Sequence, residues 1–212
     1  MLPTKKDEFD ALGQLEPAFA RAVEQWGRPE SVPRRRVPAD ERFGSLALAI
    51  VNQQLSAKAA ATIYGRVLEA LGGELSPQRI VDSEAETLRT AGMSWAKVRA
   101  LQGIARAVTA GDIDLEGLDD LSDDDAYQAL IALPGVGPWT AQVFLIFDLG
   151  RDDVLAAADI GVLNGIKLIF DLPERPTPKE LAAMAEAWRP HRTAACRLAW
   201  QAVTAVPAAA SA

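Results

Sequence analysis

Apolar positions recur every three to four residues along nearly the whole chain, the spacing that turns one face of an α-helix toward a core, and no stretch sustains the period-two alternation of a strand. The pattern predicts helices over residues 9–26, 40–54, 56–71, 77–81, 84–91, 95–110, 123–132, 138–149, 160–170, 178–188 and 191–204. Their starts carry chemical signals. Ser56, Ser76, Ser94 and Ser122 stand where an N-cap hydroxyl accepts from a first-turn amide. Ser83 and Thr177 precede Glu86 and Glu180 by three residues, the spacing of a capping box. The fold class read from this pattern is all-α, with about ten helices.

Length and composition agree: 212 residues, 49% apolar and 24% charged, are the balance of a globular domain that buries a sizeable core. The longest apolar runs, such as 46–51 and 143–147, fall far short of the ~20 residues of a membrane-crossing helix. The N-terminus turns acidic at Asp7 and Glu8, where a signal peptide would be apolar, so a cytoplasmic location is expected, at the nucleoid if the source is prokaryotic. A single cysteine, Cys196, excludes an internal disulfide and any four-cysteine zinc or iron–sulfur site, and on its apolar helix it reads as inert core.

A net charge of −7 argues at first against a polyanionic partner. The imbalance is local, however: residues 112–125 hold eight acids and no base, and without them 22 bases face 21 acids. Arg34-Arg35-Arg36 forms one basic cluster, and Arg189, Arg192 and Arg197 follow Glu186 with no further acid, so positive faces are available, although runs of this kind are also ordinary solvated surface.

The most informative run is Leu133-Pro134-Gly135-Val136-Gly137-Pro138-Trp139-Thr140-Ala141, which joins two predicted helices through two glycines, a helix–hairpin–helix. Glycine lets the backbone turn sharply and lets a phosphate come close, and the amides opening the next helix carry the positive end of its dipole. Backbone nitrogens can therefore hold a phosphodiester without lysines. The same spacing also serves as a C-cap and tight turn with no ligand. Downstream, Asp159 follows Ala156-Ala157-Ala158 and reads either as an N-cap or as a functional carboxylate. A helix over 138–149 rises about 18 Å, and the residues 150–158 can span about 30 Å back, so Asp159 can return beside the hairpin.

These residues resemble the helix–hairpin–helix (HhH-GPD) DNA glycosylases. The run Ile50-Val51-Asn52-Gln53-Gln54-Leu55-Ser56-Ala57-Lys58-Ala59-Ala60, the hairpin, Ala157-Ala158-Asp159 and Trp188-Arg189-Pro190-His191-Arg192 look like the 3-methyladenine DNA glycosylase II branch, over roughly residues 40–203. The resemblance implies two helical lobes flanking a cleft, here as a single domain over 1–212 with interwoven lobes, the hairpin lobe at about 112–204 and the acidic stretch 111–122 as the boundary. No extra N-terminal α/β domain is expected, since about 40 residues before the first core helix are too few, and the last six residues are expected to fray.

The resemblance further implies a monofunctional hydrolase acting on double-stranded DNA that contains alkylated bases. The target nucleotide is extruded, and the N-glycosidic bond breaks through an oxocarbenium-like state that Asp159 stabilises while it orients water. Gly135, Val136, Gly137 and Thr140 would hold the DNA backbone. Gln53, Gln54 and Leu55 would probe the minor groove and fill the gap, with Gln54 or Leu55 as the plug. Trp139 would wall the base pocket, with His191 where the branch often carries Trp or Tyr, and with Phe43 and Trp188 as further candidates. Trp139 also occupies the place of the Schiff-base lysine of strand-cleaving relatives. No cofactor is required and no iron–sulfur cluster is expected; a structural Na⁺ or K⁺ could sit on the carbonyls of Ile131, Leu133 and Val136. A monomer is expected. Two other readings stay open at this point, a non-catalytic DNA-binding hairpin module and a glycosylase for oxidised or mismatched bases.

Overall fold

The predicted helix starts are set largely by side chains that accept from first-turn amides. A computed structural model describes residues 7–29 and 37–206. The Arg34–Arg36 cluster and the end expected to fray lie outside the described residues, among which there are twelve α-helices, three 3₁₀ turns and no strand. The helices are α1 (Glu8–Leu15), α2 (Pro17–Trp26), α3 (Arg42–Asn52), α4 (Ala57–Ala70), α5 (Pro77–Asp82), α6 (Ala85–Thr90), α7 (Trp95–Ala110), α8 (Asp123–Ile131), α9 (Pro138–Phe147), α10 (Ile160–Ile169), α11 (Pro178–Ala185) and α12 (Arg192–Ala205).

Ser56, Ser76, Ser94 and Ser122 accept from the amides of Ala59, Arg79, Lys97 and Asp125, and the Thr177–Glu180 capping box is complete. The box expected at Ser83 does not form: its hydroxyl donates back to the Ile80 carbonyl at 2.9 Å, and Glu84 opens α6 instead. The single helix expected over 9–26 breaks at Glu16, which is extended. Pro17 has no amide to continue α1 and its ring would clash with the preceding turn, yet its fixed φ suits the first turn of α2. The helix expected over 178–188 tightens into a 3₁₀ turn at Glu186–Trp188.

The chain forms two compact units. The described residues of one lie within 36–149, and those of the other within 1–35 and 150–212. The hairpin therefore belongs with 36–149 rather than with a lobe over 112–204, and the acidic stretch 111–122 lies inside that unit rather than at a boundary. Two packing features explain this. The hairpin loop is pressed onto α7, where a β-carbon on Gly103 would stand 2.5 Å from the Pro134 ring and one on Gly135 2.5 Å from Ala100 Cβ. Arg42 of α3, 1% exposed, donates to the carbonyls of Leu115 (2.8 Å) and Glu116 (3.0 Å) and pairs with Asp119 at 2.7 Å. A buried cation thus anchors the acidic strip, and a core that includes Leu46, Ile50, Leu101, Ile104, Leu130 and Phe144 closes around it.

In the other unit Phe19 meets Phe170 and Trp188 edge-on at 5.4 and 5.0 Å, and Phe170 stacks on Trp188 at 5.7 Å. Gly165 of α10 lies so close to Ala199 of α12 that a β-carbon there would be 2.5 Å from the Ala199 α-carbon. Among the described residues no helix is long and apolar enough to cross a membrane.

Candidate functional site

The hairpin consists of α8, the loop 132–137 and α9. The Val136 amide donates to the Leu133 carbonyl at 3.2 Å and closes the loop. The two glycines, alike in the sequence reading, do different work. Gly135 has φ +78°, which disfavours any side chain, and Ala100 fills the space beside it. Gly137, the N-cap of α9, has φ −89° and ψ 174°, open to any residue, and a β-carbon there would meet nothing within 4 Å. Its empty side is room for a ligand rather than a backbone requirement.

Pro138 supplies no amide at the first helical position. Among the described residues the amides of Gly135, Gly137 and Thr140 donate to no protein acceptor. Unsatisfied amides at the positive end of a helix form an anion site. Val136 and Thr140 contribute less than expected. The Val136 amide is used in the turn, and the Thr140 side chain is buried, its hydroxyl accepting from Gln53 Nε2 at 3.4 Å, so Thr140 offers only its amide. Trp139, in the first turn of α9, is 46% exposed.

The turn between α3 and α4 lies against this loop. Gln54 takes a left-handed φ of +58°, which costs a non-glycine residue about 1–2 kcal/mol. The surroundings hold it there. Gln53 Nε2 donates to the Gly135 carbonyl at 3.0 Å, and Lys97 Nζ donates to the carbonyls of Val51 (2.8 Å) and Gln53 (2.7 Å). Burial lowers the Lys97 pKa below the usual lysine range. The Gln53 side-chain amide is thus directed at the hairpin, whereas Gln54 is exposed and Leu55 is 38% exposed. The sequence reading passed over Lys97, because nothing local marks a lysine whose partners lie more than forty residues away.

In the second unit Asp159 is the N-cap of α10. Its Oδ1 accepts from the Val162 amide at 2.8 Å and from Trp200 Nε1 at 2.8 Å. The carboxylate is thus both cap and fixed anion, held by a helix N-terminus and an indole. Gly161 makes room for this: a β-carbon there would lie 2.9 Å from the Trp200 ring and 3.0 Å from Asp159 Oδ1. Sequence reasoning missed Trp200. The available signal was the four-residue spacing of Gly161 and Gly165, matched by Ala195 and Ala199, which marks two helices in close approach.

Two of the pocket candidates are core. Phe43 is 5% exposed on α3, and Trp188, 2% exposed, is enclosed by Phe19 and Phe170, so neither has a face left for a base. His191 is half-buried at the N-cap of α12, its backbone amide donating to the Trp188 carbonyl at 2.8 Å. The C-terminal arginines do not form a free positive face. Arg192 grips Asp153 at 2.7 and 3.0 Å, and Arg189 reaches the same carboxylate at 2.6 Å. Desolvation pushes the Asp153 pKa up, but the hydrogen bonds and charge of Arg192, with the charge of Arg189, outweigh it and leave it below the usual carboxylate range. Arg197 is buried, pairs with Glu8 and lies 5.2 Å over the Phe9 ring. Cys196 is fully buried, and burial pushes its thiol up to about 12, as inert as expected.

Chemically, the hairpin can hold a phosphodiester through backbone amides, and the Asp159 carboxylate can stabilise a cation and orient water. Among the described residues no cluster of three or more His, Cys, Asp or Glu could hold a metal ion. Residues 47–190 match the family described as HhH-GPD superfamily base excision DNA repair protein. The chain is 34% identical over 205 residues to DNA-3-methyladenine glycosylase 1 of Schizosaccharomyces pombe, covering 93% of this chain and 90% of that protein. The structure of the 3-methyladenine DNA glycosylase of S. pombe in complex with abasic DNA superposes with a TM-score of 0.79 at 32% identity, over 92% of this chain and 95% of that one. A DNA-3-methyladenine glycosidase from Bacillus halodurans gives 0.82 at 34% identity, over 94% and 90% of the two chains.

Proposed function

The chain belongs to the HhH-GPD superfamily of base excision DNA repair proteins, and we propose that it is a monofunctional DNA glycosylase that hydrolyses the N-glycosidic bond of alkylated purines of the 3-methyladenine type, in the cytoplasm where it meets chromosomal DNA. The observation that carries this reading is the Asp159 carboxylate, fixed by two donors at a helix N-terminus.

The hairpin amides of Gly135, Gly137 and Thr140 hold the backbone while the target nucleotide leaves the stack, and Gln54 or Leu55 fills the gap. A purine alkylated at N3 or N7 is cationic and departs with the bonding electron pair as a neutral base, so it needs no protein acid. The sugar is left with oxocarbenium character at C1′, which the Asp159 anion stabilises. Water, oriented by the same carboxylate, forms the new C1′–O bond and gives up its proton to bulk solvent, since the base leaves already neutral. Trp139 carries no amine, so a Schiff base with the sugar and strand cleavage through it do not arise. Its exposed ring suits a cationic base. The reaction needs no organic cofactor. Neutral carbonyl oxygens suit an alkali cation, and the Leu133 carbonyl, which already accepts from Val136, has a second lone pair; with Ile131 and Val136 it would hold Na⁺ or K⁺, which would supply positive charge beside the phosphate.

The test is chromatography of free bases after incubation with dimethyl-sulfate-treated DNA, and with oxidised and mispaired duplexes. Release of methylated purines from the first alone is expected. Binding without any release would make the chain a DNA-binding module, and release from oxidised or mispaired duplexes alone would reassign its substrate.

A further inference from the structure

Lys97 has no part in the chemistry above, yet its ammonium reaches from the first turn of α7 to the carbonyls of Val51 and Gln53 at 2.8 and 2.7 Å. These carbonyls lie at the end of α3, where no further helical amide arrives to satisfy them. The connection continues through Gln53, whose side-chain amide donates to the Gly135 carbonyl at 3.0 Å and to the Thr140 hydroxyl at 3.4 Å. A hydrogen-bonded path therefore runs from α7, through the turn that carries Gln54 and Leu55, into the hairpin loop. The turn needs such support. Gln54 holds a left-handed backbone, and without a cation between them two carbonyl dipoles would point at one site unscreened.

We propose that Lys97, acting through Gln53, is a positioning residue for base extrusion, one that fixes the spacing between the backbone-gripping hairpin and the Gln54–Leu55 plug turn. The inference rests on the glycosylase reading above. Extrusion of a paired base costs a few kcal/mol, and a plug that enters the stack as the base leaves offsets that cost only when it is held in register with the gripped phosphates. A lesion with no base pair to break needs this register far less.

The experiment compares single-turnover release of one methylated purine placed opposite its normal partner and opposite an abasic site, for wild type, Lys97→Met and Lys97→Arg. Lys97→Met is expected to lose about tenfold or more on the paired lesion, since an ångström of misplacement can cost up to about a hundredfold, and its deficit on the unpaired lesion is expected to be within about threefold. Lys97→Arg, which keeps the charge and the donors, recovers most of the paired activity. Gln53→Met, which breaks the path at its second link, reproduces the pattern and serves if Lys97→Met folds poorly by circular dichroism. Equal losses on both substrates, or no loss on either, would overturn the proposal. A wild type inactive on both would overturn the glycosylase reading instead, and this inference with it.

Discussion

Replacing Gly165 with alanine tests the packing that holds the carboxylate. The added β-carbon would stand 2.5 Å from the Ala199 α-carbon and closer still to its carbonyl. Carbon atoms settle at about 3.5–4.0 Å, so α10 must withdraw from α12 by roughly 1–1.5 Å. The atoms it meets are backbone, so no rotamer change absorbs the contact. Overpacking of this kind costs about 1–3 kcal/mol, whereas alanine's better helix propensity returns only about 1 kcal/mol. In a chain of this length each kcal/mol moves Tm by about 2–4 °C. The effect on function should be larger. Asp159 opens α10 and Trp200 follows Ala199 on α12, so the 2.8 Å bond from Trp200 Nε1 to Asp159 Oδ1 would open beyond hydrogen-bonding range. Displacement on this scale can cost about a hundredfold in rate. The assay pairs thermal melts with single-turnover release from methylated DNA well below Tm. A Gly165→Ala protein that melts and excises like wild type would refute the claim that this helix contact positions the carboxylate.

Three further outcomes follow from the same geometry. Trp200→Phe keeps the ring and removes one charge-assisted hydrogen bond, worth about 1.5–3 kcal/mol, so Tm should fall by about 3–12 °C and single-turnover release measured well below Tm by roughly ten- to a hundredfold. Gly137→Ala meets no protein atom, so its stability should stay within about 0.5 kcal/mol of wild type while affinity for abasic duplex, read by fluorescence anisotropy, falls; Gly135→Ala, strained in φ and pressed on Ala100, should instead lower Tm. Asp153, whose folded pKa lies below its usual 3.8, binds fewer protons folded than unfolded, so its contribution is complete above that value and is lost as pH falls through the lowered one. Denaturant titrations from about pH 5 to 3 should therefore show a steeper loss for wild type than for Asp153→Asn.

Local signals were the legible part of the fold. Ser56, Ser76, Ser94, Ser122 and Thr177 cap helices because a side-chain oxygen reaching a first-turn amide needs only near neighbours in sequence. Asp159 could be placed for the same reason. Contacts distant in sequence were not legible. Arg42 looks like any surface arginine until the strip at 115–119 folds over it, and Arg189, Arg192 and Arg197 looked like a basic patch because Asp153 and Glu8 are remote in the chain. Pro17 was a local signal that the periodicity of 9–26 overrode. Phe43 and Trp188 carry aromatic rings suited to a pocket, and only packing shows that those rings are already covered.

The central claim is that one carboxylate, Asp159, drives hydrolysis without holding the DNA. Its most direct test is single-turnover release of 3-methyladenine by Asp159→Asn, measured beside its affinity for duplex containing an abasic site. The account predicts a rate lowered by about a thousandfold or more, with abasic affinity within about threefold of wild type. Release within tenfold of wild type would contradict it.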